Sequence, residues 1–167
     1  MKSTLFFILF TFILAGCSKK SDKDYMDSGE KSMQAKNFQS AVKSYESLIK
    51  EYPDSKLAPD ALVKLATLYQ NRVDSSLTEE QSFTKAAELF REVYDKYPNS
   101  DKAPVALFMS GFVLSNNLGR FDEATKTYKL FLEKYPNNQL AKSAQEELNN
   151  MGLSPEEVLK KNKTKGI

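Results

Sequence analysis

The chain has 167 residues, 28% of them charged and 41% hydrophobic, with 24 basic against 22 acidic side chains and a formal net charge of +2. So even a balance, with the two signs interspersed, gives no argument for a nucleic-acid or strongly acidic partner. Histidine is absent and Cys17 is the sole cysteine, so an internal disulfide is impossible and neither a metal site of paired motifs nor a glycine-rich phosphate loop can be assembled. No enzymatic role, cofactor or small-molecule substrate is expected.

The N-terminus reads as an address. Met1-Lys2 is a small positive start, and Leu5 to Ile13 is an apolar run broken only by Thr11. A membrane-spanning helix needs about 20 apolar residues, so this shorter run predicts an export signal over residues 1–16, removed on maturation. Leu14-Ala15-Gly16-Cys17 follows and resembles the lipobox of bacterial lipoproteins, which implies cleavage before Cys17 and a covalent lipid on it. An ordinary secretory signal with an incidental cysteine is the other reading. Two or more acyl chains anchor stably, at about 0.8 kcal/mol per buried methylene. The polar link of residues 17–24 is short, and its six residues from Ser18 to Lys23 reach roughly 20 Å when stretched.

Apolar residues then recur at helical spacing. A first helix is expected over Asp22–Lys36 and a second over Phe38–Glu51, ended by Pro53, which cannot continue a helix. Ser55 is positioned to cap a third helix that ends near Asn71, with Pro59 in its first turn, and Ser100 and Pro104 repeat the device. Residues 72–77 are polar and turn-like. Thr78-Glu79-Glu80-Gln81 fits a capping box opening a long fourth helix to Lys96. A fifth helix is expected over Asp101–Asn117, a turn at Gly119, a sixth over Phe121–Lys134 and a seventh over Gln139–Met151. Ser154-Pro155-Glu156-Glu157 opens a last helix with a serine cap, proline at the first position and early acids.

Three triplets share one spacing: Ala41/Tyr45/Pro53, Ala86/Phe90/Pro98 and Ala124/Tyr128/Pro136. Alanine on the second helix of a pair permits close approach to the first, and the ring one turn on fills the space left. Gly29, Ala66 and Gly111 are the matching small residues on the first helices. The pattern resembles the tetratricopeptide repeat. It implies an all-α, right-handed superhelical solenoid of about three helix pairs (residues 22–55, 56–100 and 101–138), a half-repeat (139–151), and a capping helix with a basic tail (152–167).

The junctions Tyr52-Pro53-Asp54-Ser55-x-x-Ala58-Pro59-x-Ala61 and Tyr97-Pro98-Asn99-Ser100-x-x-Ala103-Pro104-x-Ala106 are similar to those of tetratricopeptide lipoproteins of the bacterial outer membrane. Two families have junctions of this kind, the BamD-like component of the β-barrel assembly machine and the YbgF-like protein of the Tol-Pal system. The first usually carries five repeats, and the second usually has an N-terminal coiled coil that this chain lacks. The resemblance implies a lipid-anchored protein on the periplasmic face of the outer membrane that recruits envelope proteins. A structural subunit tied permanently into a larger envelope complex is the alternative, and so, for location, is the outer face of a cytoplasmic membrane.

In such arrays the first helices line the concave face. Met26 and Met33 in the first pair, Val63 and Thr67 in the second, and Val105, Phe108, Phe112 and Asn116 in the third are the expected groove residues for an extended or helical partner segment. The same spacing suits burial, with Phe108 and Phe112 packing on a neighbouring helix. The turn at residues 72–82 and the lysines of 160–165 are further candidate contacts, for a protein and for anionic lipid; as a tolerated long turn and a solvated helix end they need no such role.

Overall fold

In the computed structural model, which describes residues 19–164, eight α-helices follow one another and no strand occurs among the described residues. The expected export signal, Cys17 and Lys165 lie outside them. The helices are α1 (Asp22–Gln34), α2 (Phe38–Glu51), α3 (Ala58–Gln70), α4 (Glu79–Lys96), α5 (Ala103–Phe112), α6 (Phe121–Lys134), α7 (Ala141–Asn150) and α8 (Pro155–Thr164), with a π-helical turn at Val113–Asn117 continuing α5. Each helix from α1 to α6 packs on the next in sequence, the nearest-neighbour arrangement of a solenoid. The chain is thus an all-α, tetratricopeptide-like array of three antiparallel pairs, a lone seventh helix and a terminal eighth. No helix among the described residues is long and apolar enough to cross a membrane.

The triplets hold the pairs together as their chemistry requires. Ala41, Ala86 and Ala124 are fully buried, and Tyr45, Phe90 and Tyr128 are at most 2% exposed. A methyl group added at Gly29 would lie 2.8 Å from Cζ of Tyr45, and one at Gly111 would lie 2.9 Å from Cε1 of Tyr128. Both are closer than real carbon contacts allow, so these rings can sit only over a bare backbone. Each buried ring contributes roughly 1.5–3 kcal/mol through removal of apolar surface from water.

Helix termini follow local chemistry, with three departures from expectation. The Thr78 capping box forms in full: its hydroxyl takes the Gln81 N–H, and the Gln81 side chain takes the Thr78 N–H. Ser55 and Ser100, by contrast, cap no helix. Their hydroxyls accept from Leu57 and Lys102 N–H, two residues on, and hold a tight turn that swings the chain round before α3 and α5 begin. The first helix stops at Gln34 rather than Lys36 because Lys36 takes a left-handed conformation (φ 56°), as Arg72 does after α3 (φ 54°). The expected fifth helix is divided: α5 gives way to the π-turn at Val113. Gly111 to Ala124 spans thirteen residues where Gly29 to Ala41 spans twelve, and a wider turn takes up the additional residue without disturbing the packing of Ala124.

Tyrosine closes the first two pairs at their proline-turn edge. At the end of α2, the Tyr52 hydroxyl donates to the Lys20 carbonyl, 2.6 Å away, just before α1. At the end of α4, Tyr97 does the same to the Pro53 carbonyl, also at 2.6 Å, ahead of α3. Tyr135, at the end of α6, packs edge-on against Tyr94 with centroids 6.2 Å apart.

Candidate functional site

On the face made by the first helices, α3 and α5 leave a groove of about 270 Å³ between them. Its walls are Val63, Thr67 and Gln70 from α3 and Val105 and Met109 from α5, with Phe90 and Ala106 at the base. Residues 63, 67 and 70 are one or two turns apart and share a flank of α3, as 105 and 109 do on α5. Val105 is 41% exposed, an unusual position for a β-branched apolar side chain with no packing partner above it. The Thr67 hydroxyl is turned back onto the Val63 carbonyl at 2.9 Å, which leaves the groove wall predominantly apolar. Gln70 supplies an amide at one end.

Of the residues expected to line a groove, the structure brings together Val63, Thr67 and Val105. Met26 belongs instead to the core, only 5% exposed. Met33 is half-buried and packs on the core. Phe108 is also a core-edge residue: its ring meets Tyr128 and Phe131 edge-on at 5.5 and 5.9 Å. Phe112 is half-buried outside the groove, and the exposed Asn116 turns its amide back to the Phe112 carbonyl (3.3 Å) and Ser115 Oγ (2.9 Å). Equivalent positions on successive helices point the same way and cannot face one another. A groove between neighbours therefore takes opposite flanks, and Met109, four residues after Val105, is the member that this geometry adds. Its i, i+4 relation to Val105 was the available signal.

The corresponding seam between α1 and α3 is not apolar. Glu30 of α1 pairs with Lys64 of α3 at 3.3 Å, and Lys64 also approaches Asp60 at 4.0 Å. Asp60 and Lys64 stand where the next pair has Val105 and Met109, counted from Ala61 and Ala106.

The opposite face, made by the second helices, has a larger depression of about 480 Å³ between α4 and α6, floored by Ser110 and Leu114. Its rim is charged, and five of the charges engage one another or their neighbours: Arg91 with Asp95 at 2.9 Å, Lys96 with Glu92 at 2.6 Å, and Arg120 with Glu80 at 3.4 Å and Thr84 at 3.0 Å. Glu88, Glu123 and Lys126 add further charge to the lining, so this depression is lined with charge where the α3–α5 groove has none. In the equivalent depression between α2 and α4, Lys85 lies over the Tyr69 ring at 4.4 Å and donates to its hydroxyl at 3.1 Å. Burial raises the Tyr69 phenol above its ordinary range, and the Tyr69 bond holds the Lys85 ammonium in its charged form.

The turn between α3 and α4 is an insertion, since Ala66 to Ala86 spans twenty residues where Gly29 to Ala41 spans twelve, and it is tied down. Arg72 pairs with Glu79, the Asp74 carboxylate takes both the N–H and the hydroxyl of Ser76, and Val73 and Leu77 pack on the core. At the C-terminal end, Lys161 reaches back to the Asn149 carbonyl and Asn150 Oδ1, so this part of the basic tail also serves the fold. No group of three or more acidic or cysteine side chains placed to hold a metal occurs among the described residues.

A family model described as outer membrane lipoprotein, YfiO, matches residues 18–153, which takes in all three helix pairs and α7. Among curated proteins, none matches the chain.

Proposed function

Because the chain belongs to the YfiO family of outer membrane lipoproteins, we propose that it is an envelope adaptor: a tetratricopeptide domain carried on lipid at Cys17, on the periplasmic face of the outer membrane, that grips a segment of another envelope protein between α3 and α5. The setting is outer-membrane biogenesis or envelope maintenance, as in BamD-like proteins. The observation that carries the reading is the open apolar α3–α5 groove, with Val105 and Met109 facing Val63 and Thr67. An open apolar groove between two helices suits an extended strand or one face of a helix, whose apolar side chains leave water as they enter. The rival role, a permanently assembled structural subunit, calls for a broad flat apolar patch. Here the exposed large apolar side chains Phe38, Val105, Phe121, Leu153 and Leu159 fall on four different helices and a loop.

A photo-crosslinking residue placed at Val105 in native envelopes tests the proposal against one placed at Glu88 on the charged outer face. Capture of a periplasmic or outer-membrane chain from position 105 and not from 88 is expected. Capture confined to position 88, or from neither, would refute the groove.

A further inference from the structure

The segment leading into α1 is fastened to the domain. Beyond the bond from Tyr52 to the Lys20 carbonyl, the Lys19 ammonium lies 5.2 Å from the Tyr52 ring centroid and 3.6 Å from Glu51 Oε2. The Lys20 ammonium lies 5.7 Å from the Tyr25 centroid. The two rings rest against each other at 6.4 Å, and the Tyr25 hydroxyl donates to Glu51 Oε1 at 2.8 Å. Ser21 then caps α1 in a reciprocal box with Asp24, and Asp22 receives the Ser55 hydroxyl at 2.5 Å. From Lys19 onward there is no slack.

Tyr97 treats Pro53 as Tyr52 treats Lys20. Lys20 therefore occupies, in the first pair, the place that a proline turn fills in the second, and the chain enters the array along the proline-turn edge. This inference rests on the lipid at Cys17 proposed above. With that lipid, Ser18 alone separates the anchored residue from the fixed Lys19, a reach of at most about 7.6 Å for two Cα steps, rather than the roughly 20 Å of a free six-residue link.

The geometry points to a docked tether that sets the attitude of the domain on the membrane. The proline-turn edge, with Tyr52 to Ser55, is held against the lipid headgroups. The opposite edge, with the inserted turn at residues 71–78, is held away by the length of a hairpin, about 20 Å for helices of this size. Charge does not do the orienting. The exposed ions at the anchored edge are mixed, with Lys19, Lys20, Lys23 and Lys56 beside Asp24, Glu51 and Asp54, so anionic lipid exerts only a weak net pull on it.

The test uses the full, lipidated protein in vesicles that carry a headgroup-linked quencher, with a fluorophore on Asp54→Cys or on Ser75→Cys, Cys17 being blocked by its own acylation. Position 54 should be quenched several-fold more than position 75, equally in zwitterionic and anionic vesicles. A flexible Gly-Ser linker inserted between Ser18 and Lys19 should bring the ratio close to one while leaving vesicle attachment and far-UV circular dichroism unchanged. Tyr25→Ala combined with Tyr52→Ala should act in the same direction, and the linker variant decides if that protein fails to fold. Equal quenching at the two positions, a contrast that survives the linker, or a contrast that needs anionic lipid would overturn the docked tether. Mass spectrometry of the mature protein separates the two layers: an unacylated Cys17 sinks the anchor and this inference together, whereas acylated protein without contrast sinks the docked tether alone.

Discussion

The two seams on the face of the first helices are built from corresponding residues, yet they end in different states. Between α1 and α3, Glu30 reaches across the seam to Lys64, which also approaches Asp60. Between α3 and α5, Val63, Thr67 and Gln70 meet Val105 and Met109, and nothing charged bridges the gap. The backbone is the same device twice. Three of the positions that differ put charge into the first seam and none into the second: Glu30 against Thr67, Asp60 against Val105, and Lys64 against Met109. An exposed ion pair of this kind contributes only about 0–1 kcal/mol, so the choice between them costs the fold little and is left to function.

Grafting the first seam onto the second breaks the comparison most sharply. Thr67→Glu, Val105→Asp and Met109→Lys together should lower partner capture at the α3–α5 groove by at least about tenfold, equivalent to 1.4 kcal/mol, with a melting temperature close to that of the parent. Retained capture would show that the groove is not the binding surface.

The packing behind each seam comes next. Gly29→Ala and Gly111→Ala should each destabilise by about 1–3 kcal/mol through overpacking, read as a lower denaturation midpoint at constant m-value. Ala66→Gly in the middle pair, where the buried methyl is already accommodated, should cost about 1–2 kcal/mol through helix propensity and lost burial. Equal, negligible effects at positions 29 and 111 would show that the rings move aside freely.

A gentler change sharpens the contrast from the other direction. Lys64→Met removes the bridge from the first seam and should alter stability by no more than about 1 kcal/mol, while raising the fluorescence of an apolar dye that reports exposed apolar surface. An unchanged dye signal would mean that the ion pair is not what seals the seam.

The smallest effect expected is one of pH. The Ser55 hydroxyl, with help from the Lys23 N–H, holds the Asp22 carboxyl below the usual carboxylate range. Its folded pKa lies below its unfolded one, so the stabilisation is complete above the unfolded value and fades as pH falls through the folded value. Protection of the amides at the start of α1, measured against their intrinsic exchange rates at each pH, should therefore fall on acidification below about pH 4 before that of α5 does. Simultaneous loss in both helices would assign no special part to this contact.

Much of the fold was legible because its signals are local. Alanine, an aromatic ring four residues on and proline eight further state a helix pair in one short string, and the Thr78/Gln81 box states a helix start. The groove was only half legible. Met26 and Phe108 satisfy the same helical spacing as Val63, but whether a flank is covered depends on what other helices bring against it, as Tyr128 and Phe131 of α6 do for Phe108, which spacing along one helix does not report. Met109 was missed because equivalent positions were compared across repeats, whereas a seam joins opposite flanks. The serines at 55 and 100 misled for a related reason: a hydroxyl that can accept from a residue two or three places on serves a turn as readily as a helix start.

The π-turn at Val113–Asn117 gives the third hairpin a tolerance that the first does not have. Deleting Asn117 would let the wide turn relax to an ordinary α-turn, with Ala124 and Tyr128 still seated over Gly111. The same excision beside Asn37, where no surplus residue is stored, would rotate Ala41 and Tyr45 away from Gly29 and dismantle the pair. Single-residue length changes should therefore accumulate near the Gly119 loop and be purged from the Lys36–Asn37 loop, so one wide turn decides where the chain can be shortened.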